Sequence, residues 1–201
     1  MKSKFLKGVP VLAGTLMCVL VAASGTALAA DQIAQPVNID QNSFPDSAFR
    51  QYVSTVADAD HNNSLSESEI KSITSINLRG TGVENLTGIE KFTGLRTLDC
   101  SNNKLKKLNL SGNTLLETVN ASGNDIVEAE LSKNASLMNL DLSKNELTKV
   151  DLKECKSLIS VNLSYNELQT IDFTGNQYVS GVNVSHNDIV LADFTANEAL
   201  T

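Results

Sequence analysis

The stretch LMNLDLSKNELTKVDLKECKS, residues 137–157, places Leu137, Leu140, Leu142, Asn145, Leu147, Val150 and Leu152 at the intervals of one phrase, with Cys155 at its last marked position. The same phrase starts again at Leu95, Leu116, Leu158 and Val179, so five copies follow one another at a period of 21 residues. A unit that short cannot bury its own apolar face and must stack on its neighbours, which predicts a solenoid. In each Leu-x-Leu the pleat sends the leucines inward and the residue between them outward.

A second rhythm runs inside the first. Asn103, Asn113, Asn124, Asn134, Asn145, Cys155, Asn166, Asn176, Asn187 and Asn197 are separated alternately by 10 and 11 residues. Each unit is therefore doubled, and each half carries one short strand. An extended half-turn of that length leaves little room for a helix. The expected fold is a β-rich solenoid with short parallel strands on both sides of the coil. The asparagines are expected to pair with backbone groups at tight turns.

Working toward the N-terminus, residues 73–94 form a transitional first repeat of 22 residues. Before it, residues 43–72 read as a small α-helical cap. Ala48, Phe49, Tyr52, Val53 and Val56 recur at helical spacing, with Ser43 as N-cap and Pro45 near the first turn, and Ser66 with Glu69 forms a capping box for a second short helix. Residues 31–42 are a lead-in without periodicity, so order is expected from about Phe44. Residues 1–30 read as a secretory signal peptide: Lys2, Lys4 and Lys7 precede an apolar run, and Ala27-Leu28-Ala29 offers a cleavage site. Cys18 follows Met17 rather than a small residue, which disfavours lipid attachment.

Without the leader's three lysines the formal charge goes from −7 to −10. That excess disfavours nucleic acid, whose binding needs a basic patch, and no membrane insertion is expected after cleavage. Cys100 replaces a repeat leucine and Cys155 a turn asparagine, in half-repeats too far apart for a disulfide. No nucleophile, base and orienting group converge in these motifs, so catalysis is not expected.

The repeated L-x-x-L-x-L-x-x-N-x-L resembles bacterial secreted leucine-rich repeat proteins of the nested 10/11 subclass. Phe44-Pro45-Asp46, with Phe49, Arg50, Tyr52 and Val53, looks like the helical cap found ahead of such repeats. The resemblance implies a leucine-rich repeat solenoid and says little about the ligand.

Function in such a coil lies in its outward columns and its loops. On the first strand Thr97, Thr118, Asn139, Ser160 and Gly181 flank Asp99, Asn120, Asp141, Asn162 and Asn183. Beyond these, Ser101, Ser122, Ser143, Ser164 and Ser185 are expected to line the outer face. On the second strand Asn109 is followed by Glu130, Asp151, Asp172 and Asp193, an acidic ladder suited to a cation or basic partner, or simply to backbone hydrogen bonds. Lys144, Tyr165 and His186 share a third column, a candidate partner-binding patch. Asp58, Asp60, Asn62, Ser64 and Glu69 have the spacing of an EF-hand calcium loop, with Leu65 as its apolar residue and Asn63 where glycine is preferred. A single loop of this kind is expected to hold Ca2+ weakly, with roughly 10⁻⁴ to 10⁻³ M affinity.

These readings predict a secreted or cell-surface binding module for a protein or glycan. The alternative is a structural spacer, or an N-terminal fragment of a larger surface protein whose functional domain lies beyond Thr201, because a sixth unit starts at the end of the chain.

Overall fold

The computed structural model divides the chain into two units, residues 1–33 and 34–201. It describes residues 35–197 and 199–200; the signal peptide expected over residues 1–30 therefore lies outside the described residues. Six parallel strands, Ser75–Asn77, Thr97–Asp99, Thr118–Asn120, Asn139–Asp141, Ser160–Asn162 and Gly181–Asn183, form one continuous ladder. Its register runs Ser75, Thr97, Thr118, Asn139, Ser160, Gly181, one repeat per rung. Ile76, Leu98, Val119, Leu140 and Val161, the central residue of five of these strands, are buried in a single core with the other leucine columns.

The second halves form two shorter ladders, Lys107–Asn109 with Glu128–Glu130 and Thr170–Asp172 with Leu191–Asp193. Strands thus lie on both sides of the coil as expected, but residues 149–151 form none. The break falls in the half-turn of Cys155, where the asparagine clamp is weakest.

That clamp has two forms. In the first halves Asn145 is typical: its Nδ2 donates to the carbonyls of Ala121, Leu142 and Ser143 at 3.1, 2.9 and 3.2 Å, and its Oδ1 accepts from Ile126 N at 3.1 Å. In the second halves Asn134 Nδ2 donates to Leu110 O and Asn113 O at 3.1 and 2.9 Å, while its Oδ1 is buried without a partner. Asn113, Asn176 and Asn197 leave the same orphan oxygen. Cys155 replaces two amide bonds with one S–H contact to Leu131 O at 3.6 Å.

The cap begins earlier than Phe44. Val37–Asn38 pairs antiparallel with Ser64–Leu65, drawing the lead-in into the structure. The first helix, Ser47–Tyr52, is capped by Asp46 rather than Ser43. Pro45 disfavours helical backbone at the residue before it, and Ser43 N donates instead to Asp40 Oδ1 at 2.8 Å. Asp46 Oδ1 accepts from Ala48 and Phe49 amides, both at 2.9 Å, and Oδ2 from Glu84 and Asn85 at 2.9 and 3.2 Å. One carboxylate therefore fastens the helix to the first repeat. Phe44, Phe49 and Phe92 pack behind it, the first two edge to face at 5.7 Å. Gly88 closes this junction: at φ 102°, a Cβ there would stand 2.4 Å from the Phe44 ring.

Candidate functional site

The helix ends in a π-turn, Val53–Ala57, in which Asp58 N donates to Val53 O at 3.0 Å. This turn delivers Asp58 to the mouth of the loop, buried to 2% exposure. Its two oxygens accept the Asn62 and Asn63 amides at 3.1 and 3.0 Å. Asp60 accepts from Asn62 N and Nδ2, and Asn62 Oδ1 accepts from both Ser64 N and Oγ. The second helix, Glu67–Ser72, carries Glu69 back across the loop, and the capping box with Ser66 is formed. Glu69 Oε1 accepts from Ala59 N, and Oε2 from Ser66 N, each at 2.8 Å. The Ser66 hydroxyl is the main cause holding the Glu69 carboxyl below its usual range.

One carboxylate oxygen each from Asp58, Asp60 and Glu69 lies within 4.8 Å of the others. Of the five sequence-selected ligands, the structure brings these three together, with the Asn62 and Ser64 side chains bonded to each other beside them. Asn63 takes the left-handed conformation, φ 64°, that the motif gives to glycine. Leu65 is buried, and Asn63 O accepts from Ile39 N at 3.0 Å. Three converging carboxylates with acceptor capacity left over are a donor set suited to a hard cation.

The acidic ladder is used locally. Glu130, Asp151, Asp172 and Asp193 each accept the backbone N–H two residues ahead, at 2.9, 3.0, 2.9 and 2.9 Å. Hydrogen bonds from Ser132 and Thr174, side chain first, lower the Glu130 and Asp172 carboxyls, and the Thr195 amide leads in lowering Asp193. Asp172 opposes this at Asp193 without reversing it. At Glu130, Asp172 and Asp193 local donors therefore prevail.

The serine column departs in part from the expected outer face. Ser101, Ser143 and Ser164 are buried. The chain leaves the pleat after each strand because Asp99, Asn120, Asp141, Asn162 and Asn183 accept the amide of the serine two residues on. These are Asx turns, and they turn Ser101, Ser143 and Ser164 inward, while Ser122 is half-buried and Ser185 stays exposed as expected.

The third column stands on unusual backbone. Asn102, Gly123, Lys144, Tyr165 and His186 all have φ between 55° and 66°. A left-handed residue at the same place in every turn carries its side chain away from the coil. Lys144, Tyr165 and His186 are exposed, and the last two rings stack at 4.0 Å and 12°. Two residues further on lies a column that sequence reasoning missed, Asp125, Glu146, Glu167 and Asp188, all exposed. The residue following each first-half ladder asparagine was its signal.

The cysteines offer no reactive group. Among the described residues Cys100 and Cys155 are free and buried, and burial lifts the Cys100 thiol to about 12 and the Cys155 thiol to about 11. Among the described residues, no helix is long and apolar enough to cross a membrane.

No protein-family model matches the chain. Internalin J of Listeria monocytogenes serotype 4b (strain F2365) is 35% identical over 71 residues, which are 35% of this chain and 8% of that protein. The functional domain of InlJ from Listeria monocytogenes, which includes a cysteine ladder, superposes with a TM-score of 0.76 at 28% identity, over 83% of this chain and 37% of that one. The APL1 leucine-rich repeat domain gives 0.58 at 25% identity, over 67% and 43%. The chain thus spans a small part of the curated relative and under two fifths of the InlJ structure. By its repeat length, its ladder register and these likenesses, the chain has the fold of a leucine-rich repeat solenoid similar to that of the InlJ functional domain.

Proposed function

We propose that this chain is a non-catalytic recognition module, secreted or held at the cell surface, that binds a protein or glycan through its outward columns. The observation that supports this most directly is the unbroken six-strand register, which repeats each outward position at a pitch of about 4.8 Å on a rigid frame. The likeness to the functional domain of InlJ supports it from a second direction. The non-catalytic part rests on how the reactive groups are engaged: the Cys100 and Cys155 thiols are buried, and His186 is stacked on Tyr165. Within this reading, the loop from Asp58 to Glu69 binds Ca2+ as a structural ion that stiffens the cap.

The reading is tested by presenting the immobilised chain with a panel of purified extracellular proteins and with a glycan array. Saturable binding to a member of either set, weakened by alanine at outward positions, is the expected result. Binding to neither class would contradict it.

A further inference from the structure

The geometry points to the edge formed by Tyr165, His186, Glu167 and Asp188 as a docking surface for an arginine-rich extended segment of a partner protein. This names the ligand chemistry of one face and rests on the recognition role proposed above. Among the described residues, the carboxylates of Asp125, Glu146, Glu167 and Asp188 accept no hydrogen bond and enter no ion pair. The second-strand carboxylates differ, since each is bonded to the amide two residues ahead. Two acidic columns thus run along one coil, and only in this one are the carboxylate oxygens free of hydrogen-bond donors from the chain itself.

The neighbouring cations locate the face. Lys106 lines a cleft with Asp125, Val127 and Glu146, so a cation already stands beside these two carboxylates. Lys144, one turn before Tyr165, bounds the patch on that side. Glu167 and Asp188 instead follow the stacked rings by two residues each. Tyr165 is 50% exposed although its ring is held against His186. A pre-ordered aromatic wall loses little freedom on binding. It also suits the stem of an arginine whose planar guanidinium reaches a carboxylate in bidentate fashion. The acidic excess of the chain draws such a segment in.

The test is a fluorescence-anisotropy titration of the whole chain with a labelled nona-arginine peptide at low ionic strength. Saturable binding is expected, weakened about tenfold by Glu167→Gln with Asp188→Asn and measurably by Tyr165→Ala with His186→Ala. Lys144→Ala should tighten it. Glu130→Gln with Asp193→Asn removes the same charge from the other ladder while keeping an acceptor oxygen, and should leave binding unchanged. Equal weakening by both charge pairs would show attraction to overall charge and overturn the proposal, as would absent binding or indifference to the aromatic pair. Circular dichroism confirms that each variant is folded. Ligands found on the protein panel or glycan array that bind these variants undiminished would overturn this inference while leaving the recognition role standing.

Discussion

A single asparagine can be worth different amounts in the two halves of one repeat. Asn145 satisfies three carbonyls and one amide, whereas Asn134 satisfies two carbonyls and buries an oxygen with no donor. Removing a partner from a buried polar group costs about 1 to 3 kcal/mol. Asn145→Ala is therefore expected to lower stability by more than Asn134→Ala, because the latter also removes a desolvated acceptor. Urea melts of the two variants check this, and equal losses would contradict it. The orphan oxygen also explains why a thiol is tolerated at Cys155: it keeps a donor and brings no carbonyl to leave unpaired. From the sequence alone both asparagine columns look the same, since which carbonyls each amide reaches depends on how the turn closes.

At the scale of elements, the repeats were legible and the departures are local. Every buried leucine column demands the same residue type every 21 positions, so the period shows in the letters. Ser101, Ser143 and Ser164 were misplaced because alternation was carried one residue too far, past an Asx turn that ends the pleat. The Val37–Asn38 strand was missed because two residues have no period, and its partner lies in the loop at Ser64–Leu65. The loop's ligand spacing was legible, and the convergence of Asp58, Asp60 and Glu69 depends on a π-turn that spacing does not reveal. Because an ion bound only by the folded state stabilises it, millimolar calcium is expected to raise the melting temperature, and Asp58→Ala to abolish the rise. Differential scanning calorimetry with and without chelator measures both. An unresponsive wild type would remove calcium from the account.

The described coil behaves as a stack in which each turn touches its neighbours, so a defect is felt along the axis. Leu142 is fully buried, and its amide donates to Asn162 O on the next turn at 2.9 Å. Leu142→Ala is expected to cost about 2 to 5 kcal/mol, measured by chemical denaturation. A melt matching wild type would contradict the register. The binding columns were only partly legible at this scale. Lys144, Tyr165 and His186 stood out by residue type, whereas Asp125, Glu146, Glu167 and Asp188 resembled the solvated charges that any acidic chain carries. What separates the two acidic columns is where their hydrogen bonds go.

The asparagine ladder has a mechanical side. The ladder amides reach back 24 residues to a carbonyl of the preceding turn, as Asn124 does to Cys100, Asn145 to Ala121 and Asn166 to Leu142. These bonds cross between turns, so a load that draws neighbouring turns apart meets them together with the strand ladder. Under such a pull the coil should open turn by turn, with Cys155 marking the rung that yields at lowest tension.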